Sequence, residues 1–111
     1  MASLFTRIIN REIPADIVYE DDHVVAFRDL NPQAPVHVLI VPREEVKGVA
    51  DLPLIGDHQH LLNAAKTIAE QMGLADSGYR LVINQGEDAG QTVSHLHVHL
   101  LGGREFGWPP G

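Results

Sequence analysis

Apolar positions recur along this chain with two different periods, and the switches between them predict its elements. Leu4, Phe5, Ile8 and Ile9 fall on one side of a short helix that Ser3 can cap and Pro14 stops. Ile17-Val18-Tyr19 and Val24-Val25-Ala26-Phe27 read as two strands of a hairpin joined through Glu20-Asp21-Asp22-His23. The acidic residues of that turn read as a solvated tip rather than a cation site, and His23 as exposed. Val36-His37-Val38-Leu39-Ile40-Val41 predicts a central strand ended by Pro42, and Arg43 to Asp51 a short turn or helical piece. The main helix is expected over 57–72, with an apolar stripe of Leu61, Leu62, Ala65, Ile68, Ala69 and Met72, and Gly73 as its stop. His58 and His60, near its start, do not share a helix face and read as exposed. Tyr79 to Ile83 is the next strand, opening into the polar loop 84–92.

The run His95-Leu96-His97-Val98-His99-Leu100-Leu101 is the most regular stretch. Strict alternation argues for a half-buried strand, on which His95, His97 and His99 share one face and Leu96, Val98 and Leu100 the other. A helix would scatter the histidines at about 200° intervals. The aliphatic face can seal onto a core. Three imidazoles on one face are hard to explain by packing, because burying one unpaired costs free energy. His37, the odd residue of its own apolar strand, reads either as a satisfied core or edge histidine or, given the other three, as one that joins them across neighbouring strands.

Composition narrows the field. With 111 residues, 44% of them hydrophobic, the chain can build one real core, and no Gly/Ser-rich linker divides it, so 1–111 reads as one domain. Fifteen Asp plus Glu against eight Lys plus Arg give a net charge of -7, which argues against nucleic acid and anionic membrane as partners. A small phosphate ligand stays possible, since a few local donors hold one. The absence of cysteine removes disulfides and thiolate metal sites. No signal-peptide-like stretch and no run near the roughly 20 apolar residues of a membrane helix is visible, so a cytoplasmic location is expected.

The histidine face has three readings. Three imidazoles can bind zinc with an open position for water. Alternatively, a neutral imidazole can attack phosphorus while an acceptor holds its other N–H, neighbouring imidazoles serve as acid or phosphate contact, and the Asn/Gln/Thr/Gly loop before the strand supplies neutral donors. The third reading is a surface histidine run that senses pH or binds metal adventitiously.

The run also resembles the histidine-triad (HIT) motif, in which three alternating histidines precede two hydrophobic residues. Glu12-Ile13-Pro14-Ala15, Ala26-Phe27-Arg28-Asp29, Pro32-Gln33-Ala34-Pro35, His37, Val41-Pro42, Gly78-Tyr79-Arg80, Asn84, Gly90-Gln91, Gly102-Gly103-Arg104 and Trp108-Pro109-Pro110-Gly111 resemble the histidine-triad nucleotide-binding (Hint) branch of that family, so the likeness covers essentially the whole chain. It implies an α+β, HIT-like fold with a mainly antiparallel sheet of about five strands, one long helix and a short N-terminal helix.

The implied activity is hydrolysis of purine nucleoside phosphoramidates without metal or cofactor, by a homodimer. The resemblance makes His97 the nucleophile and the carbonyl of His95 the holder of its far nitrogen. It makes His99 a phosphate contact that assists proton transfer, and His37 a relay or orienting partner. Asp29 matches a ribose-binding carboxylate, and Phe5, Ile8, Phe27 and Leu30 a base pocket. Asn84, Gln91 and Thr92 match phosphate- and leaving-group-contacting positions, with Thr92 replacing the usual serine, and Gly90 counts with them among the nucleotide-binding residues. The Trp108 tail would reach toward the partner's site. A dinucleoside-polyphosphate hydrolase and a non-catalytic nucleotide-binding dimer are the alternatives. The tail argues against the first, and a complete triad against the second.

Overall fold

A computed structural model describes residues 2–111. The elements in chain order are α1 (Leu4–Ile9), β1 (Ile17–Glu20), β2 (Val24–Arg28), β3 (Val36–Pro42), a 3-10 turn (Val49–Asp51), α2 (His58–Gln71), β4 (Tyr79–Val82) and β5 (Val98–Gly102). The strands form one sheet in the order β1-β2-β3-β5-β4, every neighbouring pair antiparallel. This is the α+β architecture expected from the sequence.

Both faces of the sheet are covered, which is why β2 and β3 lack apolar–polar alternation. Val24, Ala26, Val38, Ile40, Val98 and Leu100 pack against Leu61, Ala64, Ala65 and Ile68 of α2. Val25, Phe27, Leu39 and Val41 turn the other way and meet Phe5 and Ile8 of α1. Period-2 alternation thus sorts aliphatic residues between two cores instead of between core and water.

The helix ends follow from local chemistry. Ser3 Oγ accepts the Thr6 N–H at 3.0 Å and caps α1. At the end of α2, Leu74 N donates to Ala69 O at 2.8 Å and Gly73 N to Glu70 O at 3.1 Å. Gly73 adopts φ 73, so this is a Schellman ending in which only glycine is unstrained. Leu74 then enters the core, against the bare backbone of Gly102, where a Cβ would stand 2.6 Å from Leu74 Cδ1.

Three expectations need correcting. Leu62 is 47% exposed, because it lies one residue past Leu61 and is rotated about 100° off the buried face, which Ala64 fills instead. The strand expected from His95 begins only at Val98, and Pro42 closes β3 from within. His60 is half-buried, with its ring stacked on His23. The acidic turn is solvated but also structured. Asp21 accepts hydrogen bonds from Tyr19 Oη and from the N–H groups of His23 and Val24, and these contacts hold its carboxyl below the usual range against a burial penalty.

Truncating Ile68, 1% exposed between α2 and the sheet, should cost about 2–5 kcal/mol. Leu62→Ala should stay within roughly 0.5 kcal/mol. Urea denaturation of both variants checks the assignment of the buried helix face.

Candidate active site

The approach to β5 is built before the strand begins. Leu96 N donates to Val46 O at 2.7 Å, and Leu96 is buried in the α2-side core. The sequence alternation therefore survives in 95–97 without a strand ladder. Leu96, Val98 and Leu100 face α2, while the imidazoles lie on the α1 side, where the Phe5 ring stands edge-on to His97 at 5.0 Å and to His95 at 5.9 Å.

Backbone partners set the proton positions. A carbonyl can only accept, so the 2.8 Å contact of His97 Nδ1 with His95 O requires N–H at Nδ1 and leaves Nε2 with a free lone pair when the ring is neutral. The same logic gives His95 an N–H at Nε2, donated to Pro42 O at 2.9 Å, and an accepting Nδ1 that receives the Ser3 hydroxyl at 2.7 Å. His95 is thereby wholly buried with both ring nitrogens satisfied, and what it offers toward its neighbour is its carbonyl. For His37, the donor is the backbone N–H of Gln33, 3.0 Å from Nδ1. Its Nε2 must then carry the proton and donate to His99 Nδ1 at 2.9 Å, so neutral His99 bears its proton on Nε2. Asp29 Oδ2 stands 3.5 Å from His37 Nε2, behind this pair.

Burial dominates the electrostatics. Desolvation lowers the pKa of His37, opposed by Asp29, and that of His95, opposed by the Pro42 carbonyl and Glu45. His99 is pushed down to about 4, first by desolvation and then by the neighbouring His97 and His37. The site therefore holds His37 and His99 neutral at pH 7.

These groups open into a cleft of about 290 Å³ whose lining includes Phe5, Ile8, Phe27, Leu30, His97 and His99. Asp29 and Thr92 also border it. Leu30 is 97% exposed and stands at the rim, whereas Phe5, Ile8 and Phe27 are buried and serve the core and the cleft wall together. Past Thr92 the cleft runs into an open depression of about 480 Å³ beside Ser3, Glu45 and Lys47.

Asn84, Gly90 and Gln91 are not among the lining residues. Gln91 braces its own loop, accepting from Gly86 N and donating to Lys47 O and Val93 O. Gly90 is exposed, with φ 83. Asn84 is half-buried in the connection after β4. Asp29 spends Oδ1 on Asn31 N at 2.8 Å, which leaves Oδ2 toward the site. Ser3, a helix cap by its sequence context, and the backbone N–H of Gln33 join the site as well. Neither carries a signal without the fold that brings it to an imidazole.

A five-stranded antiparallel sheet, flanked by one long and one short helix and presenting clustered imidazoles at an apolar cleft, defines a class of histidine-centred α+β domains. The chain belongs to the HIT family: the HIT domain model matches residues 10–106. It is 56% identical to an "Uncharacterized HIT-like protein" of Synechococcus elongatus, over 98% of this chain and 96% of that one. It is 50% identical to the "14 kDa zinc-binding protein" of Zea mays, over 98% of this chain and 88% of that one. The crystal structure of a HIT family hydrolase from Legionella pneumophila superposes with a TM-score of 0.94 at 45% identity, covering 99% of this chain and 100% of that one. The fold is thus that of a HIT family hydrolase.

The electrostatics predict a pH dependence. An imidazole whose pKa is lowered by folding binds more protons unfolded, so its stability contribution is full above the ordinary value of 6.5 and is lost as pH falls toward about 4 for His99. His37 and His95 act in the same direction. Ring titration by NMR should find the His99 midpoint near 4, and His99→Gln should lose less stability than the parent between pH 7 and pH 4.5. A His99 midpoint at the ordinary value would sink this account.

Proposed function

We propose that the protein hydrolyses the P–N bond of purine nucleoside 5′-phosphoramidates, such as adenosine phosphoramidate, through a transient nucleotidyl group on His97. The observation that carries this reading is the His97 Nδ1–H donated to His95 O at 2.8 Å. It directs the free lone pair to Nε2 of a histidine that lines an apolar cleft. The purine lies among Phe5, Ile8, Phe27 and Leu30, and Asp29 Oδ2 accepts a ribose hydroxyl.

In the first step His97 Nε2 attacks the α-phosphorus, the N–P bond to His97 forms, and the P–N bond to the amine breaks. The amine leaves with the bonding electron pair and needs a proton. The anionic substrate favours the charged form of a nearby imidazole and opposes the depression by burial, so the His99–His37 pair takes up a proton with the substrate and passes it to the amine. In the second step water attacks the same phosphorus, its proton goes to the His99–His37 pair, and His97 departs with its lone pair. The products are nucleoside monophosphate and amine. Asn84, Gln91 and Thr92 are the phosphate and leaving-group contacts of this proposal, with Gly90 beside them; of these Thr92 borders the cleft. The working form is a cytoplasmic homodimer, with Trp108 reaching the partner's cleft. Trp108 is 84% exposed in the single chain.

Zinc chemistry is the second reading, because the maize relative is named a zinc-binding protein and Asp29, His37 and His99 offer ligand atoms within 4.8 Å of one another. A zinc ion there would have to break the 2.9 Å His37–His99 hydrogen bond, and it would not require His97 as a nucleophile.

Turnover of adenosine phosphoramidate should persist after chelation and fall by about 10³-fold or more in His97→Ala. The intact mass of rapidly quenched protein should show one nucleotidyl adduct in the parent and none in the variant. Activity that vanishes with chelation would move the reaction to zinc. Faster turnover of a dinucleoside polyphosphate would reassign the leaving group. Nucleotide binding without turnover would leave a binding dimer.

A further inference from the structure

The face of the sheet opposite the His97 cleft carries a second histidine cluster that the proposed reaction does not use. His23, at the end of the β1–β2 turn, and His60, in the first turn of α2, stack with ring centroids 3.6 Å apart and planes within 8°. Asp57, at the N-cap position of α2, joins them, and one ligand atom from each of the three lies within 4.8 Å of the other two. We propose that His23, Asp57 and His60 form a binding site for a divalent transition-metal ion of the zinc, nickel or cobalt type.

Three independent features support it. Aspartate at an N-cap ordinarily accepts a helix N–H, yet among the described residues the Asp57 side chain makes no such bond, while its carbonyl takes Leu61 N at 2.9 Å. The carboxylate is left to another partner. His23 is held in place by its backbone, its N–H donating to Asp21 Oδ1 at 2.7 Å and its carbonyl accepting from Arg43 N at 2.9 Å. The three residues also border a cleft of about 380 Å³ to which Glu44 and Asp51 contribute further carboxylates, so the surroundings favour a cation.

The donor set selects the metal. Two imidazoles and one carboxylate suit zinc, nickel or cobalt, whereas magnesium and calcium demand oxygen ligands. An ion equidistant from three atoms within 4.8 Å of one another sits at most about 2.8 Å from each, and turning the two rings out of their parallel stack would aim their in-plane lone pairs at it, at the roughly 2.0–2.2 Å of zinc ligation. Water completes the coordination. The ion would tie the β1–β2 turn to the start of α2, and because the unfolded chain lacks the site, binding stabilises the fold.

The test is zinc titration of the metal-free protein by calorimetry, with melting temperature measured in parallel. The parent, His23→Gln, His60→Gln and His99→Gln, which removes a ligand of the Asp29–His37–His99 group, are compared. The parent and His99→Gln should bind zinc alike and melt higher with it. Each of the other two should bind at least about tenfold more weakly and lose the thermal shift, with phosphoramidate turnover unchanged. Two independent ligand variants guard against misfolding of either one. No zinc binding by the parent, binding of undiminished strength in His23→Gln and His60→Gln, or its loss in His99→Gln alone, would overturn the proposal.

Discussion

The hydrogen bond from His97 Nδ1 to the carbonyl of His95 decides which nitrogen of His97 can act. Imidazole has two interchangeable tautomers in water, and only a fixed acceptor makes one of them the resident form. Here that acceptor is a peptide oxygen two residues back, so its position is only as firm as the segment bearing it. That segment is fastened on three sides. Pro42 O and Ser3 Oγ hold the His95 ring, and Val46 O holds Leu96 N. Much of what surrounds His95 can be understood as support for one carbonyl.

Burial cooperates with this arrangement at a cost. Taking His37, His95 and His99 out of water favours their neutral forms, which makes the site more stable at neutral pH than in acid. The cluster stays satisfied because each buried ring nitrogen meets a backbone group, a hydroxyl or another imidazole. Among the described residues no buried side-chain N or O lacks a hydrogen-bond partner. An anionic ligand would reverse the balance at His99 and His37 and make the same pair a proton carrier.

The double-covered sheet separates two kinds of chemistry. On the α1 side, aromatic and aliphatic residues pack the core and also wall the cleft, so Phe5 and Phe27 cannot be altered for one purpose without touching the other. On the α2 side, small alanines let the helix lie close to the sheet. Its N-terminus then comes near the β1–β2 turn, and His60 meets His23.

The sequence alone determined the parts governed by short-range periodicity. The two helices, the glycine stop at Gly73 and the facing of Leu96, Val98 and Leu100 away from the histidines follow from spacings of two or of three to four residues, and β2 and β3 read as short apolar runs. Recognition of the family from the triad and its flanking motifs added the antiparallel α+β architecture. The tertiary structure decided whatever depends on partners distant in sequence. The 97 region keeps its alternation without a strand because its hydrogen bonds go to the 42–46 loop and to Ser3. Leu62 is exposed because a helix face is chosen by the sheet it meets. Gln33 joins the site because a loop held by two prolines delivers its N–H to His37. Likewise His23 and His60, 37 positions apart in the chain, became neighbours only when α2 docked. Local pattern tells which way a side chain faces, but long-range packing determines what it meets there.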